Sequence, residues 1–256
     1  MNPPYERMRS LGRIHTLILK QLKKKIQPGV EVWELEEYFQ ELAQRYNVKS
    51  ACIGKVTQTN GKKTKPYPTN LCVSLNDEAI HVYPTRNKRI MPGDLVTVDL
   101  VLTDGQVFTD AAFTTIAGDS TKAPLLRKKL LECAYKALQA GLAVVKKGVH
   151  VGTIGAAIQK VVKEYGFSVL TDYGGHGIGW NMWEDIFIPN FGPAHIGPKL
   201  QAGMYIAIEP LILTGNKGII QKDDWITVTA DGSDFAQVEA TVMVTETGYK
   251  LITDII

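Results

Sequence analysis

The chain has 256 residues, 45% hydrophobic and 21% charged, a globular mixture that excludes a disordered or collagen-like protein. The 29 Lys and Arg side chains exceed the 26 Asp and Glu by only three, which is too few to indicate a nucleic-acid partner. The three cysteines form no CxxC pair, the N-terminal segment has no apolar signal core, and no apolar stretch could span a bilayer, so we expect a cytoplasmic protein without a membrane partner.

Apolar residues at helical spacing predict four helices. They run from about Tyr5 to Lys25, from the Pro28-Gly29 turn onward, from about Pro124 to Lys146, and from about Thr153 to Tyr165. Apolar runs predict strands at Leu71–Ser74 and Leu95–Val98. The polar, lysine-rich segment Gly54–Thr69 is broken by glycine and proline, which predicts a solvated loop.

Two pairs of segments repeat along the chain and indicate internal pseudo-symmetry. PGVEVWEL at residues 28–35 is similar to KGVHVGTI at 147–154, and GDLVTVD at 93–99 is similar to GMYIAIE at 203–209. Asp110 and Glu239 each open a further apolar run and are expected at equivalent positions. We therefore expect one α/β domain, residues 1–256, built from two halves of similar plan.

Four acids stand at the ends of these apolar runs, two in each half: Asp99, Asp110, Glu209 and Glu239. An ionised carboxylate in such a place needs a partner, and a cation is the strongest one. His176 lies in GGHGIG, which lacks the spacing of a phosphate-binding loop. Any one of these residues alone would more often be structural. Together, four carboxylates and one imidazole suit Mn, Fe(II), Co or Zn, and could bridge two cations as in two-metal hydrolases.

These motifs, in this order, resemble the type I methionine aminopeptidases, the short bacterial form of the pita-bread fold. The resemblance extends from RMRSLGRI to VTETGYKLIT and is close in NLCVSLNDEAIH, GDLVTVDL, IGAAIQKVVKEYGFSV, GGHGIG, AGMYIAIEP and FAQVEATVMVT. It implies an α/β (α+β) fold with a pseudo-two-fold repeat and a central antiparallel sheet with helices packed on one side. It also implies a metalloaminopeptidase that removes the initiator methionine from nascent proteins.

The resemblance implies a role for each candidate residue. Asp99, Asp110, His176, Glu209 and Glu239 would hold two divalent ions, with Asp110 and Glu239 as bridges. A metal-bound hydroxide would attack the first peptide carbonyl, and Glu209 would help move the proton. His81 matches a histidine that contacts the substrate near its amino end. Four residues match positions of the methionine side-chain pocket: Tyr67, Cys72, Met182 and Trp225. N-terminal methionine peptides and nascent chains are the implied partners; a monomer is expected, and ribosome association stays open.

The chain also departs from the family pattern. Trp183 replaces a second active-site histidine, and tryptophan can neither accept a proton nor carry positive charge. The loop Gly54–Lys65 is longer than usual, His81 opens HVYP rather than HGIP, and Asp110 opens DAA rather than DTS. Two alternatives therefore stay open. One is a weak or inactive paralogue that binds peptides or ribosomes. The other is a proline-specific peptidase, although such enzymes usually carry an extra N-terminal domain.

Overall fold

The computed structural model describes residues 2–59 and 62–256. Its α-helices are Tyr5–Lys25 (α1), Val32–Tyr46 (α2), Leu125–Ala143 (α3) and Val151–Glu164 (α4), and a short 3-10 helix lies at Ser120–Lys122. The predicted bounds of α1, α3 and α4 agree with these to within a few residues, and α2 follows the Pro28-Gly29 turn as predicted. Within the described ranges, no helix is long and apolar enough to cross a lipid bilayer.

The strands of the first half form one antiparallel sheet and one separate antiparallel pair. They are Lys49–Ser50 (β1), Gln58–Thr59 (β2), Lys62–Lys63 (β3), Cys72–Leu75 (β4), Leu95–Thr103 (β5) and Phe108–Ile116 (β6). β5 pairs with β1, β4 and β6. β2 and β3 pair with each other inside the segment predicted to be a loop. Two-residue strands are too short to give a periodic signal, so the sequence did not predict this strand pair.

The second half has three further groups of antiparallel strands. They are Ser168–Val169 (β7), Gly175–Gly177 (β8), Glu184–Ile188 (β9), Tyr205–Ile208 (β10), Leu211–Leu213 (β11), Ile219–Gln221 (β12), Thr227–Thr229 (β13), Phe235–Gln237 (β14), Ala240–Val244 (β15) and Tyr249–Leu251 (β16). The largest sheet has the order β16-β15-β10-β8-β9, the next has the order β14-β11-β7, and β12 pairs with β13.

Two apolar cores hold the helices against the sheets. Leu19 and Phe39, from α1 and α2, are buried with Phe113 of β6. Leu138 and Ile158, from α3 and α4, belong to a second core that includes strands β10 and β15. Each pair of helices therefore covers the strands of its own half, as the amphipathic patterns predict.

The repeated segments adopt the same local structure in both halves. Gly29 and Gly148 precede α2 and α4 with φ of 93° and 83°. Gly93 and Gly203 precede β5 and β10 with φ of 85° and 88°. Glycine enters this left-handed region without steric cost, which explains its presence at all four turns. The predicted pseudo-symmetry is thus visible in backbone conformation as well as in sequence.

The two halves meet where β6 lies beside β14 and β15. The Glu239 N–H donates to the Ala112 carbonyl over 2.9 Å. The hydroxyl of Thr114 accepts from the Gln237 N–H and donates to its carbonyl, over 3.1 and 2.6 Å. Threonine hydroxyls therefore join the halves at points where regular strand pairing is interrupted.

The strand register corrects one expectation. Asp99 pairs with Ala112, while Ile208 pairs with Ala240, the last pair of its ladder. Continued by one residue, this register places Glu209 opposite Glu239. The counterpart of Asp99 is therefore Glu209, as expected. The counterpart of Glu239, however, is Ala112 and not Asp110, which lies two residues away. Because side chains alternate along a strand, a displacement of two residues keeps Asp110 on the same face.

Candidate metal site

Three of the candidate ligands form a tight cluster where the halves meet. One side-chain atom from each of Asp110, His176 and Glu239 lies within 4.8 Å of the other two. The His176 Nε2 is 3.5 Å from the Asp110 Oδ2. Asp110 and Glu239 are only 5% and 3% exposed. Sheet geometry brings these residues together from positions 110, 176 and 239.

Two carboxylate oxygens of this cluster have no protein partner. The Asp110 Oδ1 and the Glu239 Oε1 are both buried and accept no hydrogen bond from the described part of the protein. A buried carboxylate oxygen without a donor is costly, and a cation would remove that cost. The residues present therefore fit a divalent ion better than they fit a purely structural role.

Asp99 and Glu209 complete the acidic lining. Asp99 lies on the same face of its strand as Val101, which pairs with Asp110. The Gln237 side-chain amide donates to the Asp99 Oδ2 over 3.3 Å. The carbonyl of Glu209 accepts a hydrogen bond from the Asn190 side chain over 2.9 Å, which fixes the backbone after β10.

The acids are electrostatically costly when no cation is bound. Burial, and then the negative charge of Asp110, raises the pKa of Asp99 and of Glu239 well above the usual values. Burial raises the pKa of Glu209 to about 7, although His176 acts in the opposite direction. Burial also raises the pKa of Asp110, less strongly because His176 lies beside it. Protons or cations are therefore needed to hold this set of carboxylates together.

The orientation of His176 suits a metal ligand. Its Nδ1 is 2.9 Å from the Gly177 carbonyl, and a carbonyl can only accept, so Nδ1 carries the proton. In the neutral imidazole, Nε2 then offers its lone pair on the side of Asp110, and in the protonated imidazole Nε2 carries the proton that bonds Asp110. Burial lowers the pKa of His176, but the hydrogen bond and charge of Asp110 outweigh burial and give a net rise. Metal-binding histidines commonly donate their second ring nitrogen to a carbonyl in this way.

A cavity opens beside the acids, and all the predicted site residues line it. They are Asp99, Asp110, His176, Glu209, Glu239, His81, Tyr67, Cys72, Met182, Trp183 and Trp225. Lys55, Cys52 and Val101 also line the cavity and were not predicted. Lys55 lies in the loop Gly54–Lys65, where the chain leaves the family pattern, so the resemblance gave no signal for it.

One wall of the cavity is apolar and well ordered by its own contacts. The rings of Tyr67 and Trp225 meet edge to face with centroids 5.1 Å apart. The Tyr67 hydroxyl donates to the Leu71 carbonyl over 3.1 Å and lies 3.1 Å from the Cys72 Sγ. The Trp225 Nε1–H donates to the Lys65 carbonyl over 2.9 Å. These contacts fix a pocket of sulfur and aromatic surface next to the acids.

His81 lies at the junction of the acidic and aromatic walls. Its backbone has a left-handed φ of 58°, which is unusual for a residue with a side chain. Its ring meets Trp225 and Tyr173 edge to face, with centroids 6.1 and 5.8 Å away. Burial lowers the pKa of His81 to about 4, so the imidazole is neutral at physiological pH.

Trp183 stands between the metal cluster and solvent. Its ring centroid is 6.5 Å from that of His176, in an edge-to-face contact, and the side chain is 43% exposed. The Lys55 Nζ lies 4.5 Å from the Trp183 ring centroid. The residue that replaces the expected histidine therefore does face the metal cluster.

Comparison with known proteins agrees with the fold and with a metal-dependent peptidase. The pattern of metallopeptidase family M24 matches residues 6–246. Methionine aminopeptidase 1 of Bacillus subtilis is 35% identical over 247 residues, which cover 96% of this chain and 94% of that protein. A crystal structure of methionine aminopeptidase from Thermotoga maritima has a TM-score of 0.89 and 33% identity, over 97% of this chain and 96% of that one.

A more distant structure shares the fold alone. Prolidase from Pyrococcus furiosus has a TM-score of 0.73 and 20% identity, over 99% of this chain but 65% of that one. The expected pita-bread α/β fold is thus confirmed. Fold and site define the class as a divalent-metal peptidase. The chain belongs to metallopeptidase family M24, among its methionine aminopeptidases.

Proposed function

We propose that this protein is a cytoplasmic metalloaminopeptidase that removes the N-terminal methionine from new polypeptides. The observation that carries the proposal is the cluster of Asp110, His176 and Glu239, which has two buried carboxylate oxygens without a partner in the described part of the protein and lines the same cavity as the apolar pocket. Membership of the methionine aminopeptidases supports the substrate class. We further propose that residues 1–256 act as one catalytic domain and as a monomer, because both halves supply ligands to one site.

Two divalent ions, Mn, Fe(II), Co or Zn, are the proposed cofactors. Asp99, Asp110, His176, Glu209 and Glu239 would hold them, with Asp110 and Glu239 shared between the ions. Such ions polarise a carbonyl and make a water molecule more acidic. A set of four carboxylates and one imidazole offers enough charge for two dications, whereas a single ion would leave much of it uncompensated.

The protein's own residues would then orient the peptide and move protons. His81 is neutral, so it can donate one N–H toward the substrate near its amino end. Glu209 would take a proton from the attacking water and pass it to the departing amine as the carbon–nitrogen bond breaks. The pocket of Tyr67, Cys72, Met182 and Trp225 would receive the methionine side chain, because thioethers pack well against aromatic rings.

Trp183 favours a second candidate function. A weak or inactive paralogue would keep the metal ligands and the peptide pocket but lack the histidine that the family has at this position. Such a protein would bind N-terminal methionine peptides, or ribosomes from which such peptides emerge. Because an indole N–H is still a donor, we propose low activity rather than none.

Hydrolysis of short Met-Ala peptides by the purified protein, loaded anaerobically with Mn(II), Fe(II) or Co(II), tests the proposal. We expect release of free methionine that depends on added metal and is lost with a chelator. Peptides that begin with Lys or Asp should react much more slowly, because the pocket of Tyr67, Cys72, Met182 and Trp225 is apolar and would remove water from a charged side chain. Metal binding without cleavage of any peptide would favour the binding paralogue, and equal rates on all three peptides would reject the pocket.

A further inference from the structure

Lys55 is the one lysine or arginine that lines this cavity within the described ranges. Its backbone is fixed on both sides: its N–H donates to the Cys52 carbonyl over 3.0 Å, and its carbonyl accepts from the Tyr67 N–H over 2.8 Å. Its ammonium lies over the face of Trp183, with 4.5 Å between Nζ and the ring centroid. The lysine is therefore held at the cavity and not simply present on a solvated loop.

A short chain of contacts links this ammonium to the metal cluster. The Trp183 ring, which supports Lys55, is 6.5 Å from the His176 ring, and the His176 Nε2 is 3.5 Å from Asp110. A cation–π contact at a partly exposed ring is weaker than a hydrogen bond between charged groups. The flexible lysine stem can therefore leave the indole for a stronger negative charge that develops nearby.

Few other side chains in the cavity are free to donate to a substrate. The Tyr67 hydroxyl donates to Leu71, and the Trp225 indole donates to the Lys65 carbonyl. The carboxylates can only accept when ionised. This leaves Lys55, the neutral His81 and the Trp183 indole, of which Lys55 alone carries positive charge.

Amide hydrolysis creates a need for such a donor. Addition of water to the peptide carbonyl places negative charge on its oxygen, and a donor aimed at that oxygen lowers the barrier. We propose that Lys55, positioned by the face of Trp183, donates a hydrogen bond to the carbonyl oxygen of the scissile peptide bond. The ammonium keeps its three protons throughout, so the proton transfers of hydrolysis are unchanged. This inference rests on the proposed aminopeptidase function.

The variant Lys55→Met tests it, since it keeps the stem and removes the charge. We expect kcat to fall at least about tenfold, with KM changed by less than about twofold, because the contact forms mainly in the transition state. Lys55→Arg should retain most of the activity. The matched control is Lys62→Met, an exposed lysine of the same segment that does not line the cavity, and it should match the wild type.

Binding provides a readout besides activity. The phosphonic acid analogue of methionine carries charged oxygens where the carbonyl oxygen would lie, while 3-(methylthio)propylamine has the side chain and amine but no such oxygen. Lys55→Met should bind the phosphonate at least about tenfold more weakly, bind the amine as the wild type does, and contain the same amount of metal. Equal loss for both ligands, or an unchanged kcat, would overturn the proposal.

The Trp183→His background adds a second test. If the imidazole of Trp183→His donates to the carbonyl oxygen in place of Lys55, adding Lys55→Met to that variant should lower kcat by less than about threefold, because the effects of coupled residues are not additive. If Lys55→Met lowered kcat equally in the wild type and in Trp183→His, the positioning role of Trp183 would be contradicted. If the wild type cleaves no methionine peptide, the proposed function fails. The phosphonate and amine comparison would still decide the role of Lys55.

Discussion

Thr241 occupies in the second half the position that Thr114 holds in the first, and each hydroxyl closes two hydrogen bonds with the strand it faces. Thr114 bonds the N–H and carbonyl of Gln237, at 3.1 and 2.6 Å. Thr241 bonds the N–H and carbonyl of Asp110, at 2.9 and 2.7 Å. The same device thus fixes Asp110 of the metal cluster and Gln237, whose side chain donates to Asp99.

Replacing either hydroxyl should weaken both the fold and the site. Thr241→Val and Thr114→Val would each leave a buried N–H and a buried carbonyl unpaired, so we expect a loss of about 1–3 kcal/mol in the free energy of unfolding. Denaturant titration of the metal-free protein measures this loss. Thr115→Val, at a half-buried position of the same strand, is the control and should change stability far less. If Thr241→Val and Thr114→Val were as stable as the wild type, these hydrogen bonds would make no net contribution to the free energy of unfolding.

Asp110→Ala should abolish most metal binding. The substitution removes a carboxylate that both ions would share, so the metal-loaded wild type should hold close to two ions per chain and the variant far fewer. Elemental analysis after gel filtration gives the count. Glu132→Gln, an exposed acid on α3, should bind metal like the wild type. A variant with unchanged metal content would reject the assignment of Asp110.

Metal affinity should rise with pH across the neutral range. Burial raises the pKa of Glu209 to about 7, and Asp99 and Glu239 are also raised, so the metal-free site holds protons that a cation must displace. Calorimetry in buffers of different ionisation enthalpy should show more protons released at pH 6 than at pH 8, with weaker affinity at pH 6. A release that does not depend on pH would contradict the raised pKa values.

The raised pKa values of these acids should also make the metal-free fold less stable as the pH rises. An acid whose pKa is raised in the folded state stabilises the fold at low pH. For Glu209, this contribution is lost as the pH rises from its usual pKa toward about 7. Bound metal should remove that loss, since cations replace the protons. Metal should therefore raise the melting temperature more at pH 8 than at pH 6.

Trp183→His should raise the rate on Met-Ala peptides. The indole is larger than an imidazole and cannot carry positive charge, and loss of a well-placed donor typically costs about a hundredfold or more in rate. Steady-state kinetics of the metal-loaded variant and wild type give the comparison. Trp180→His, nearby but absent from the cavity lining, is the control. A wild type that already equals ordinary family members would show that the histidine is dispensable here.

The three cysteines should differ in reactivity toward iodoacetamide. Cys52 lines the cavity, and its hydrogen bond with Cys72 lowers the pKa of its thiol. Cys133 lies in the second core, where burial raises its pKa to about 12. Since the thiolate is the reactive form, mass spectrometry should find Cys52 alkylated first and Cys133 last. Methionine in the buffer should slow the reaction at Cys52 and leave Cys133 unaffected; faster labelling of Cys133 would contradict this order.

Much of the architecture follows from local patterns in the sequence. The helices follow from apolar residues at helical spacing, and the paired turns follow from Gly29, Gly93, Gly148 and Gly203, because these signals depend on neighbours along the chain. The acids stood out because a carboxylate beside an apolar strand is costly wherever the strand is later placed. Family resemblance then named the pocket residues, all of which line one cavity.

Tertiary structure alone decided the strand register and the contacts across the cavity. Asp110 and Glu239 look equivalent in sequence, yet the strand registers make Ala112 the counterpart of Glu239, since register is set by packing between distant strands. Lys55 belongs to a lysine-rich segment that reads as solvated. Only the path of the chain between Cys52 and Tyr67 brings its ammonium over Trp183, 128 positions further along. A single charged side chain on a loop has no periodicity, so its partner is determined by the fold around it and not by its neighbours in sequence.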